Sequence, residues 1–125
     1  MSGTYQSALL AQSMLEGEGD VTVVDSKSAS YGYGMMVVLA AELARQGVGR
    51  DEILERIGRL KRETKLYFLV DTLEYLHKGG RIGRASALFG TLLNIKPILT
   101  IGDEGYVNAL DKVRGQKRAY ARIVE

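Results

Sequence analysis

Apolar residues follow helical spacing, then β-branched runs, then helical spacing again along this chain, and near residue 70 the order of elements changes. Tyr5, Ala8, Leu9, Gln12 and Leu15 fall roughly on one face, which predicts a helix opening within residues 1–8 and running to about Glu16. After the Gly17-Glu18-Gly19-Asp20 turn, Val21-Thr22-Val23-Val24-Asp25-Ser26 reads as a short buried strand of an α/β sheet. The stretch from about Ser30 to Gln46 includes Met35, Met36, Val37, Val38, Leu39, Ala40, Ala41, Leu43 and Ala44, leaving almost no polar face. Such a helix is expected between layers, as a core element or as the lining of an apolar tunnel. Asp51 is positioned to cap the next helix, whose Ile53, Leu54, Ile57 and Leu60 form one stripe to about Glu63. Leu66-Tyr67-Phe68-Leu69-Val70 follows as a second strand, and two strands joined by helical crossovers predict a parallel sheet.

Past residue 70 the pattern turns to short helices and a ribbon. Leu73 and Leu76 mark a short helix ended by Gly79 and Gly80, and a second helix is expected from Ala85 to Leu93. Residues 94–101 read as a strand with Pro97 at its start or on an edge; Gly102-Asp103-Glu104-Gly105 is a turn, and residues 106–110 pair back as a hairpin. The basic run Lys112 to Ala119 then leads into a final helix. The fold class is therefore α/β: part of a three-layer α/β domain with parallel strands in residues 1–70, followed by part of a smaller α+β domain with an antiparallel hairpin in residues 71–125.

Composition narrows the functions. The 125 residues are 46% apolar, enough for one modest core, and 17 Lys and Arg against 15 Asp and Glu give a net charge of only +2, which does not point to nucleic acid. Without cysteine there is no disulfide scaffold, thiolate metal site or cysteine nucleophile, and one histidine rules out a His-rich metal centre. No apolar run approaches the roughly 18 residues of a membrane span, and the start lacks a secretory pattern. A cytoplasmic protein with no integral membrane segment is expected.

Candidate chemistry gathers at four places. Ser2, Gly3 and Thr4 precede a helix, where hydroxyls and unpaired N–H groups either cap the chain or hold a carboxylate or phosphate. Ser26 and Ser30 flank the hydroxyl-rich loop at the C-terminal end of the first expected strand, the usual ligand edge of an open α/β sheet, and Met35 follows as a possible pocket wall. Gly32-x-Gly34 lacks the third glycine and the acidic residue of a dinucleotide fingerprint. Arg81, behind the Gly79-Gly80 pair, and Arg114, beside Gly115, each combine a forked cation with a permissive backbone, a pairing suited to carboxylate or phosphate. His77 reads as an ordinary surface histidine. No catalytic residue and no metal ligand set is indicated.

Three blocks coincide in order: Ser2-Gly3-Thr4-Tyr5-Gln6-Ser7-Ala8, then residues 24–32 from Val24-Asp25-Ser26 to Tyr31-Gly32, then Thr72-Leu73-Glu74-Tyr75-Leu76-x-Lys78-Gly79-Gly80-Arg81-Ile82. With Leu92-Leu93-Asn94-Ile95-Lys96-Pro97-Ile98-Leu99 and Lys112-Val113-Arg114 behind them, the chain resembles the DegV family of bacterial fatty-acid-binding proteins, as a central fragment of the family's usual length. The resemblance implies two domains and one long-chain fatty acid in an apolar tunnel, its carboxylate near the interdomain cleft. It implies no cofactor and, for some members, a role as the lipid-presenting subunit of a fatty acid kinase, whose catalytic subunit phosphorylates the bound acid. By motif position Ser2 matches a carboxylate-binding serine, and Arg81 and Arg114 match arginines of the headgroup, phosphotransfer or partner surface. The family's threonine-serine motif is expected ahead of residue 1, and a headgroup-proximal basic residue or histidine beyond residue 125. The alternative is a small phosphate-ester- or phosphosugar-binding α/β domain using Ser2, Ser26, Arg81 and Arg114. A module whose basic 112–122 segment docks an acidic partner is a third reading.

Overall fold

A computed structural model describes residues 2–15, 17, 19–90 and 95–125. Its elements run α1 (Thr4–Ser13), α2 (Tyr31–Arg45), α3 (Arg50–Glu63), β1 (Tyr67–Phe68), α4 (Glu74–Lys78), a 3₁₀ helix (Gly83–Leu88), β2 (Ile95–Ile101), β3 (Val107–Arg114) and α5 (Gln116–Val124). One three-stranded sheet has the order β1-β2-β3 with both pairings antiparallel.

The hairpin is where this chain makes its own core. β2 pairs with β3 from Ile95 opposite Arg114 to Ile101 opposite Val107, with a bulge at Ile98/Leu99 that leaves Leu110 as the extra residue. Ile82, Ala85, Leu99 and Val107 form a buried cluster, flanked by the partly buried Phe68, Val70, Leu73 and Leu76. Pro97 is the third residue of β2 and lies outside the stretch that β1 pairs, so its missing N–H removes no bond on that side.

The helical half is built differently. α3 buries Ile57 and half-buries Ile53, Leu54 and Leu60, as its stripe predicts, with Asp51 and Glu52 in the first turn and Lys61 and Arg62 in the last complementing the helix dipole. Its N-cap is Gly49, so Asp51 acts through charge inside the first turn and not as the cap. α2 packs on α3 but buries only Gly32, Met36 and Leu43, whereas Val37 and Val38 are 61% and 57% exposed. The expected full burial of α2 is therefore not met among the described residues, because α3 covers one face and no other described element covers the rest. α1 buries no residue; Tyr5, Ala8 and Gln12 of its expected face are half-buried, while Leu9 and Leu15 are exposed.

Other expectations shift with the pairing. Residues 21–26 take no place in a ladder among the described residues, and Val21 and Val24 are exposed. The run 66–70 shortens to Tyr67–Phe68, whose partners are Thr100 and Leu99 of the hairpin, so the sheet draws its third strand from ahead of the expected division at residue 70. The β-branched run 21–26 is therefore not a strand among the described residues, and which partner an extended segment such as Tyr67–Phe68 meets depends on long-range contacts that local spacing does not encode. α1 ends at Ser13, short of Glu16, which lies outside the described residues. The helix expected over Ala85–Leu93 is a 3₁₀ helix ending at Leu88, with residues 91–94 outside the described set. Lys112, Val113 and Arg114 complete β3, and the last helix begins only after Gly115 at φ +87.

Candidate functional site

Three stretches distant in sequence meet in one open cleft of about 730 Å³. The first is the approach to α1. Ser2 Oγ accepts a hydrogen bond from the Thr4 backbone N–H at 3.2 Å and shares a second, of 2.7 Å, with Thr4 Oγ1. The N-cap is Gly3, which makes no side-chain cap, and its carbonyl accepts from Ser7 N–H at 2.9 Å. The two hydroxyls thus bond each other at an exposed helix start, where the positive end of the dipole favours an anion.

The second stretch is the loop 23–29. Asp25 Oδ1 accepts from Lys27 N–H at 3.0 Å and Ser26 Oγ from Ser28 N–H at 3.3 Å, so successive side chains fold the backbone back on itself. Lys27 and Ser30 take left-handed φ of 47° and 49°, costing about 1 kcal/mol or more each. Two contacts hold this strained loop. Lys61 Nζ of α3 donates to the Asp25 carbonyl, and Gly32 lets the loop close on α2, since a Cβ there would fall 1.9 Å from Ser28 Oγ.

The third stretch is Arg81 with the hairpin tip. α4 ends as the glycine pair predicts: Gly80 takes φ +69, its N–H bonds His77 O at 3.0 Å, and Arg81 N–H bonds Leu76 O at 2.8 Å, the Schellman pattern. Gly79 itself stays helical at φ −79. Two residues on, Gly83 at φ +53 sits directly on β3, where a Cβ would lie 2.5 Å from Val107 O. Segment 79–84 is thereby anchored at both ends. Arg81 Nη1 donates to the Gly79 carbonyl, and Arg81 lines the cleft with Ile101, Glu104, Gly105 and Tyr106. Gly105 lies against Lys27, closing the tip onto the loop.

The cleft therefore brings Ser2, Thr4, Ser26 and Arg81 together. Gly3 is not part of its lining. Ser30 and Met35 line a separate groove of about 560 Å³ along α2, with Tyr31, Val38 and Leu39, and Tyr33 is common to both. Arg114 stands at the opposite end of β3 from the tip, roughly 20 Å away along a strand rising about 3.3 Å per residue. His77 is exposed and stacks on Phe89, with ring centroids 4.2 Å apart and planes at 13°. Lys27, Tyr33, Glu104 and Tyr106 were not expected at the cleft; the only signal for the hairpin pair was the glycine-flanked turn 102–105, which marks a reversal but not what it faces. Among the described residues no group of three or more His, Asp or Glu could hold a metal ion, and no helix is long and apolar enough to cross a membrane.

Helices combined with a three-stranded antiparallel sheet match part of a DegV α/β fold. Residues 1–125 match the family model described as "Uncharacterised protein, DegV family", and the chain belongs to the DegV family. A DegV domain-containing protein of Deinococcus radiodurans is 47% identical over 125 residues, and one of Caldanaerobacter subterraneus subsp. tengcongensis 39% identical over 124. These alignments take in 100% and 99% of this chain but 43% and 44% of the relatives, so the chain spans less than half their length. A fatty-acid-binding DegV family protein from Thermus thermophilus superposes with TM-score 0.89 at 48% identity, over 98% of this chain and 43% of that one. The Streptococcus pneumoniae fatty acid kinase B3 protein, loaded with linoleic acid, gives TM-score 0.81 at 31% identity, over 98% and 46%.

Proposed function

We propose that this chain is part of a fatty-acid-binding carrier that holds a long-chain acid and presents its carboxylate to a partner kinase. The observation that carries the reading is the convergence of Ser2, Thr4, Ser26 and Arg81 on one cleft whose 730 Å³ falls within the range of small-molecule sites. Of the paired Ser2 and Thr4 hydroxyls, the one whose hydrogen is left free donates to the carboxylate, Arg81 balances its charge at the rim, and the acyl chain runs past Tyr33 into the apolar groove beside Ser30 and Met35. Residues 1–70 and 71–125 supply the two walls, as the two domains of the longer protein. At about 0.8 kcal/mol per buried methylene the tail supplies most of the affinity and the polar groups its orientation. The chain itself is not catalytic. The catalytic subunit of a fatty acid kinase, in the cytoplasm, transfers the γ-phosphoryl group of ATP to the carboxylate oxygen, giving an acyl phosphate and ADP. Arg114, remote from the cleft, belongs to the surface that meets this subunit.

Organic extraction and mass spectrometry of the purified protein test the reading, with a long-chain fatty acid expected in stoichiometric amount. Ser2→Ala is expected to weaken retention of the acid, whereas Arg81→Ala and Arg114→Ala spare retention and lower kinase-dependent phosphorylation. Recovery of a sugar phosphate with no fatty acid would reverse the assignment in favour of a phosphate-ester-binding domain.

A further inference from the structure

The charged side chains lining the cleft cancel: Lys27 and Arg81 stand against Asp25 and Glu104. A lining of that kind gives an anionic headgroup no net electrostatic advantage over a neutral one. Arg84 changes this from outside. It is not part of the cleft's lining, but its Nη2 donates to Glu104 Oε2 at 2.6 Å, across a neighbouring hollow of about 440 Å³ that shares Ile101, Glu104 and Tyr106 with the cleft. The backbone explains how one short segment serves both sides. Gly83 is seated on the Val107 backbone, so the arginine two residues before it lines the cleft while the one directly after it meets the hairpin tip from the other side. A second ion pair, Lys65 with Asp103 at 3.4 Å, lies in the same hollow and takes up the adjacent tip carboxylate.

We infer that Arg84 is a positioning residue that holds the Glu104 carboxylate away from the headgroup and neutralises it, and so sets the preference of the cleft for an anionic over a neutral lipid headgroup. The inference rests on the carboxylate-binding reading of the cleft and adds what selects the charge state of the ligand. Without Arg84, the Glu104 carboxylate is free to turn into the cleft it lines and to repel the ligand's own carboxylate directly. Both side chains are about two-thirds exposed, at 68% and 64%, so the effect is modest and screened by salt.

The test compares palmitate with hexadecanol, which share a tail and differ in headgroup charge, by displacement of a fluorescent lipid from the purified, delipidated protein at low ionic strength. The unaltered protein is expected to prefer the acid. Arg84→Gln lowers the acid-to-alcohol affinity ratio roughly two- to fivefold with the alcohol unchanged. Glu104→Gln raises the ratio, and the double variant Arg84→Gln/Glu104→Gln regains at least the original value. Equal weakening of both ligands by Arg84→Gln, or a double variant as poor as Arg84→Gln alone, overturns the inference while leaving the fatty acid reading intact. Equal affinity of the unaltered protein for acid and alcohol overturns the carboxylate reading, and the inference with it.

Discussion

The hairpin and the helical half of this chain use similar amounts of apolar sequence to different ends. Around the hairpin, Leu99 and the Ala85 of the 3₁₀ helix packed on it are fully buried, and Ile98, Val107 and Ile82 nearly so. In the helical half, α2 is the more apolar element, yet Tyr31, Val37 and Val38 face outward and α1 buries nothing. Apolar content alone therefore does not locate a core. Burial follows where a second element arrives to cover the face, and in the hairpin the 3₁₀ helix and residues 68–76 do so. Part of this exposed face of α2, Tyr31, Met35 and Val38 but not Val37, lines the groove beside the cleft.

Substitutions sharpen this contrast. The largest effect is expected at Leu99→Ala, which leaves a cavity at the centre of the hairpin cluster and should cost about 2–5 kcal/mol in urea unfolding. Gly83→Ala comes next. Its Cβ would meet the Val107 backbone at 2.5 and 2.9 Å in a left-handed conformation, and an expected loss of about 2–4 kcal/mol reflects both crowding and φ. Gly32→Ala has a shorter nominal clash, 1.9 Å, but with the Ser28 hydroxyl, which can rotate away, so roughly 1 kcal/mol is expected. If Gly32→Ala proved costlier than Gly83→Ala, the ranking of rigid backbone over movable side chain would be wrong. On the helical side Val37→Ser should change stability by no more than about 0.5 kcal/mol; a loss several times larger would mean that this face is covered in solution.

The smallest effect is a titration. The backbone N–H of Lys112 first, and the Arg122 guanidinium second, hold the Asp111 carboxyl below the usual carboxylate range. A depressed folded-state value means the contribution is complete above the unfolded carboxylate range, near pH 4, and is lost as pH falls through the lower folded value. Carboxyl NMR of Arg122→Ala should show Asp111 rising only part of the way, because the Lys112 bond persists. A full return to the ordinary range would assign the whole depression to Arg122.

What could be read from the sequence divides along the same line. Local rules placed α2, α3, the hairpin turn and the helix stop at Gly80 to within a few residues, since each depends on neighbours close in the chain. The antiparallel partner of Tyr67–Phe68 escaped them, because it lies some thirty residues further along the chain, and residues 21–26, with a strand-like β-branched run, join no ladder among the described residues. At the cleft, Ser2, Thr4, Ser26 and Arg81 were singled out by residue type and glycine context, and they are lining neighbours. Glu104 was invisible for the opposite reason: an acidic residue in a turn is ordinary, and only the docking of the tip on Lys27 and Arg84 gives it a position.

The helix stop before Arg81 has a thermodynamic corollary. Its amide hydrogen is committed to Leu76, so the main chain is a stationary pivot, while the exposed side chain beyond it folds back to donate to the Gly79 carbonyl. Any headgroup that captures the guanidinium must release that bond and fix the long side chain in a new rotamer, at a cost of up to about 2 kcal/mol that offsets much of the new contact. An arm of this kind adds little to residence time and much to aim, so its removal should be felt in how the proposed acid ligand is oriented before it is felt in how tightly that ligand is held.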